Sequence, residues 1–142
     1  MHPENGRVTA HTGSGLYTEV TANGYSMVVD EPAAFGGTGA GPTPYDYLLA
    51  ALGGCTAMTV RMYADRKGWP LASVRVRMEH SKIHARDCEK CEAENGRIDR
   101  IELELELKGP LDEQQRRRLG EIAEKCPVHR TLDSEVLIET RA

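Results

Sequence analysis

A chain of 142 residues reads as one domain, long enough to bury roughly two-thirds of the surface its unfolded form exposes. The formal charge of −4, with Lys and Arg scattered rather than clustered, argues against nucleic acid or an anionic membrane as a partner, since both need a basic face. One Phe, one Trp and five Tyr leave a thin core for a single chain, which points to an oligomer that completes it.

The opening MHPENGRVTAHTGSG places no apolar stretch behind a basic one, so no secretory signal is expected and a reducing cytoplasm is the expected compartment. There, four cysteines read better as thiols or metal ligands than as structural staples. Asn23-Gly24, between strand-like runs at Leu16–Ala22 and Tyr25–Asp30, is the preferred signature of a two-residue hairpin, and a third strand is expected upstream around Arg7–His11. The Gly/Pro-rich EPAAFGGTGAGPTP that follows matches neither the dinucleotide fingerprint nor a P-loop, and reads as a connection.

A helix start comes next: Thr43 suits the N-cap, Pro44 the first helical position and Asp46 the acidic position of a capping box. From Leu48 to Val60 no side chain is charged, a run too short for a bilayer, which takes about 20 apolar residues. Leu48, Leu52, Cys55, Met58 and Met62 recur at helical spacing and put Cys55 on the most apolar stripe of a long buried helix. Gly53 and Gly54 beside it each cost about 1 kcal/mol relative to alanine, so a close approach should require them. Arg61 and Asp65 pair at i,i+4, and Gly68-Trp69-Pro70 ends the helix.

Two alternating runs follow. Val74, Val76 and Met78 face inward in the first, and Ile101, Leu103, Leu105 and Leu107 in the second; paired antiparallel, they set arginines opposite glutamates on the outer face. The hairpin tip, about residues 81–96, carries His80, His84, Cys88 and Cys91 as H-x3-H-x3-C-x2-C. That set could complete a zinc site, or Cys88 and Cys91 an accessory redox pair. The spacing fits no common finger, and Asp87, Glu89 and Glu92 oppose thiolate formation, so the favoured reading is a solvated loop with incidental thiols and no metal. Asp112 then caps a helix in which Leu119, Ile122, Ala123 and Cys126 recur at helical spacing up to the Cys126-Pro127 stop. A short PVHRTL helix and a last strand near Glu135–Thr140 complete an α+β order with antiparallel sheets.

Cys55 and Cys126 each lie on the apolar stripe of a helix, where cysteine often does no more than fill space. The paired glycines argue for more, and so does the Cys126-Pro127 step, because free N–H groups at the start of PVHRTL would stabilise a thiolate. From GPTPYDYLLAALGGCTAMTV through the strand pair to KCPVHRTLDSEV, the sequence resembles the OsmC/Ohr family of thiol-dependent peroxidases. The resemblance implies a single OsmC-like α+β domain over residues 1–142, forming an intertwined homodimer with the reactive pair at the subunit interface. It implies that Cys55 is the peroxidatic cysteine and Cys126 the resolving one. The pair would reduce an organic hydroperoxide in oxidative stress defence without a cofactor, and an external dithiol would regenerate it.

Members of that family place a Glu ten residues before the peroxidatic cysteine, where it orients an Arg from an early loop. This chain has Tyr45 there, followed by Asp46, which also suits the helix cap; His11–Gly15 holds no arginine, and Arg130 is the candidate substitute. The competing reading is a non-catalytic module that holds a small apolar ligand in the same pocket.

Overall fold

The computed structural model describes residues 6–88 and 96–142. They divide into two compact units, residues 1–50 and 51–142, with one helix running through the division.

In the first unit, β1 (Val8–Thr12), β2 (Thr18–Ala22) and β3 (Tyr25–Val29) form an antiparallel sheet in the order β1-β2-β3. Asn23 and Gly24 both take positive φ, 49° and 82°, giving the hairpin turn whose twist matches that of the strands. The loop after β3 is built on Asp30. Its buried carboxylate accepts from Glu31 N at 2.8 Å, Thr38 N at 3.2 Å, Ala40 N at 3.1 Å and the Thr38 hydroxyl at 2.6 Å. In a phosphate-binding loop such N–H groups face a ligand; here they serve a carboxylate of the chain itself, which makes the loop a connection.

The helix α1 (Pro44–Lys67) begins at the expected box: Asp46 N donates to Thr43 Oγ1 at 3.2 Å, and Thr43 N to Asp46 Oδ2 at 3.0 Å. It ends at Gly68, whose φ is 69°. Its buried row is Leu52, Thr56, Val60 and Ala64, with Gly53 beside it. Met58 and Met62, expected on the buried stripe, are 58% and 53% exposed, and Cys55 is only partly buried. The helix turns its small side chains inward because the neighbouring hairpin lies close: a Cβ at Gly53 would collide with the Met78 thioether. Gly54 has nothing near it, so of the two glycines only Gly53 serves a close approach.

In the second unit, β4 (Ser73–His84) and β5 (Arg97–Lys108) pair antiparallel without a break from Ser73 opposite Lys108 to His84 opposite Arg97. Strand therefore replaces tip over residues 81–84, where Ile83 stands opposite Ile98 on the face that carries Arg75, Arg77 and their glutamates rather than in the inward row. Arg75 faces Glu106 at 3.5 Å and Arg77 faces Glu104 at 3.6 Å, exposed pairs worth at most about 1 kcal/mol each. The core of this unit joins Val60, Ala64, Leu71, Leu119 and Ala123, with Trp69, Val74, Leu105 and Leu107 packed against them.

The helix α2 (Glu113–Ala123) opens with a full capping box between Asp112 and Gln115 and stops short of Cys126. Pro127 disfavours helical geometry in the residue before it, so Cys126 becomes the extended N-cap of α3 (Pro127–Leu132) rather than the last turn of α2. The expected strand at Glu135–Thr140 is absent: no strand among the described residues pairs with it, and its N–H and C=O groups have no ladder to join. Among the described residues no helix is long and apolar enough to cross a membrane.

Candidate active site

The helix α1 and the corner between α2 and α3 bring Cys55 and Cys126 together. Both are free thiols, Cys126 is wholly buried, and the Cys55 thiol is within hydrogen-bonding reach of the Cys126 sulfur. The first turn of α3 turns two successive N–H groups toward them. His129 N donates to Cys126 Sγ at 3.4 Å, and the neighbouring Val128 N–H favours the Cys55 thiolate. These donors are free because the first N–H groups of a helix have no carbonyl of their own to bond. Thr59, one turn after Cys55 on the same face of α1, adds a hydroxyl. Its Oγ1 is buried and has no hydrogen bond of regular geometry. Charge state reconciles the two observations. A neutral thiol is a weak acceptor and leaves the hydroxyl unsatisfied, whereas a thiolate would engage it.

Burial pushes the Cys55 thiol above its ordinary range. Donation of its proton to Cys126 and the charge of an ionised Cys126 push the same way; the Val128 N–H and the Thr59 hydroxyl pull it down, and burial prevails.

The other candidates fall elsewhere. Asp46 is committed to the α1 cap, and Tyr45 is half exposed. Arg130 bonds Cys126 O through its backbone N–H at 3.0 Å. Sequence patterns do not single out Thr59, Val128 or His129. The i,i+4 spacing of Cys55 and Thr59 is the signal for the hydroxyl, and the Cys126-Pro127 step signals free N–H groups at the start of α3; that one of them serves Cys55 is found only from the fold.

At the hairpin, His80 Nε2 lies 2.9 Å from Asp99, and His84 accepts from Arg86 N at 3.2 Å. The Asp99 carboxyl is held below its usual range first by His80 and then by Lys82. Cys88 is disulfide-bonded, which corrects the expectation of a free thiol there. Cys91 lies outside the described residues. Among the described residues no cluster of three or more His, Cys, Asp or Glu side chains could hold a metal.

A cavity of about 160 Å³ is walled by Leu52, Ile101, Leu103 and Leu132 and rimmed by Asp99, His129 and Asp133; it is related to the cysteines through His129, whose backbone N–H bonds Cys126. Two larger clefts, of about 510 and 530 Å³, are lined mainly by charged and polar side chains and include neither cysteine. Of the three, the small one has the most apolar lining, and it too includes neither cysteine.

A family model described as OsmC-like protein matches residues 37–141. Among solved structures, the chain is similar to an OsmC-like protein from Mycoplasma pneumoniae, with 19% identity, a TM-score of 0.73 and coverage of 93% of this chain and 89% of that one. It is also similar to an organic hydroperoxide resistance protein OsmC from Legionella pneumophila (22% identity, TM-score 0.66, 93% and 91% covered). A third similarity is to the organic hydroperoxide resistance protein OhrB of Bacillus subtilis (20% identity, TM-score 0.60, 89% of each chain covered). At these identities the structures establish the fold. No curated protein matches the sequence.

Proposed function

The chain belongs to the OsmC-like protein family, and from that premise we propose that it is a thiol-dependent peroxidase that reduces organic hydroperoxides with Cys55 and Cys126. The observation that carries this reading is the meeting of two free thiols at the start of α3, where the His129 N–H is donated to Cys126. The names of the Legionella and Bacillus proteins support the choice of substrate.

In the proposed reaction the Cys55 thiolate attacks the outer oxygen of ROOH. The S–O bond forms, the O–O bond breaks, and the alkoxide takes up a proton to leave as alcohol. Cys55, oxidised by two electrons, is then a sulfenic acid. Cys126 attacks that sulfur, its proton and the hydroxide depart as water, and a disulfide remains. An external dithiol reduces it by exchange and is itself oxidised. No cofactor is needed. The organic group of the peroxide would occupy the cavity under Leu52, Ile101, Leu103 and Leu132, where burial contributes about 25 cal/mol per Å² and favours organic peroxides over hydrogen peroxide. On this reading residues 1–142 act as a single OsmC-like domain in a cytoplasmic, intertwined homodimer, with neither nucleic acid nor membrane as a partner.

With excess dithiol, Cys55→Ser should abolish turnover of an organic hydroperoxide. Cys126→Ser should allow a single round and leave Cys55 open to over-oxidation. Full activity in Cys55→Ser would overturn the assignment. The raised Cys55 thiol and the commitment of Asp46 to the helix cap favour one other reading, a non-catalytic module that binds a small apolar ligand. Thiol titration separates the two: a peroxidase loses both thiols promptly when organic hydroperoxide is added, and a binding module loses neither.

A further inference from the structure

We propose that Thr59 is the activating residue of Cys55, its hydroxyl donating a hydrogen bond to the thiolate in place of a charged partner. For its purpose this rests on the peroxidase reading, though its test does not.

Two threonines of α1 behave differently. A threonine in a helix ordinarily bonds its hydroxyl back to the carbonyl four residues earlier. Thr56 does so, donating to Leu52 O at 2.8 Å. Thr59, three residues on in the same helix, does not: its Oγ1 is buried with no regular partner, although the Cys55 carbonyl stands at the i−4 position. A buried donor left in this way is costly unless some state of the protein uses it. The Cys55 sulfur lies one turn earlier on the same helix face, and the Thr59 hydroxyl favours its ionised form. The hydroxyl is thus set to gain its hydrogen bond when Cys55 ionises, and to lose it when the thiol is restored.

The need for such a donor is also visible. Burial and Cys126 both oppose ionisation of Cys55. The acidic side chain in the first turn of α1, Asp46, is held in the cap. Besides Thr59, the other donor that favours the thiolate is the Val128 backbone N–H, which no side-chain substitution removes. Thr59 is therefore a side chain through which the reactivity of Cys55 can be tuned.

The test measures Cys55 alkylation by iodoacetamide as a function of pH, read at the Cys55 peptide by mass spectrometry in the full-length chain. Thr59→Val should raise the midpoint by about one pH unit and slow alkylation at neutral pH about tenfold, while Thr59→Ser, which keeps the hydroxyl, should stay within about twofold of the parent. Thr59→Val should melt no lower than the parent, because the hydroxyl it removes had no partner to lose. Should that variant fold poorly, Thr59→Ala reports the same midpoint. The inference is overturned if the Val and Ala midpoints coincide with the parent's, or if Ser slows alkylation as much as Val. No peroxide enters this assay, so a chain that reduces no hydroperoxide still reports on Thr59. Conversely, an active peroxidase with an unmoved midpoint refutes Thr59 alone.

Discussion

Asp30 and Cys55 are two ionisable side chains that the fold moves in opposite directions, and donor supply explains the difference. Asp30 receives four hydrogen bonds, led by that of the Thr38 hydroxyl, and they outweigh burial to bring its carboxyl from 3.8 to about 2. Cys55 has fewer donors and a second thiol against it, so burial prevails. For Asp30 the folded value lies below the unfolded one. Its contribution is therefore complete above 3.8 and is lost as pH falls through about 2. Thermal melts should show Asp30→Asn clearly less stable than the parent at neutral pH, with the gap closing as pH falls toward about 2. An equal gap at both ends would show that the charge on Asp30 contributes nothing. Alternation and cap signals do not point to this role, because its donors come from a loop eight and ten residues downstream.

The elements themselves are largely legible. Both capping boxes, the Asn-Gly turn and the inward rows of β4 and β5 follow from interactions a few residues apart, and each is found where those residues stand. The facing of α1 departs from expectation because hydrophobicity alone takes no account of size. Methionines score as apolar, yet the row pressed against the core is Leu52, Thr56, Val60 and Ala64. That distinction separates the two glycines. Gly54→Ala should stabilise the protein by about 1 kcal/mol in chemical denaturation, since its new methyl meets nothing and the helix gains propensity. Gly53→Ala should yield less than that gain or a net loss, since its methyl must displace the Met78 thioether. Equal effects at the two positions would contradict a helix that faces the hairpin with Gly53.

At the scale of the whole molecule, the unpaired C-terminal segment bears on assembly. Val136, Leu137 and Ile138 follow one another without regular structure, the last two 82% exposed, and such apolar runs mark interaction sites more often than free surface. If the protein is the proposed homodimer, sedimentation should give twice the chain mass of 15.7 kDa at micromolar concentration. Leu137→Asp together with Ile138→Asp should shift it toward the monomer. A parent that sediments as a monomer would remove the homodimer from the proposal.

The sequence by itself determined what short-range physics controls: where helices begin, where Gly68 stops one, which strand faces turn inward, and that one cysteine precedes a proline and another sits in a charge-free helix. The family resemblance could be read from those same blocks. Tertiary structure decided the rest. It brought Cys55 to Cys126, gave each sulfur its own backbone donor, left the Thr59 hydroxyl without a carbonyl, and denied residues 135–140 a strand to pair with. The division has a physical cause. Caps and turns are fixed by bonds within about four residues and can be read as patterns, whereas contacts between distant segments depend on how many weak packing terms sum across the chain.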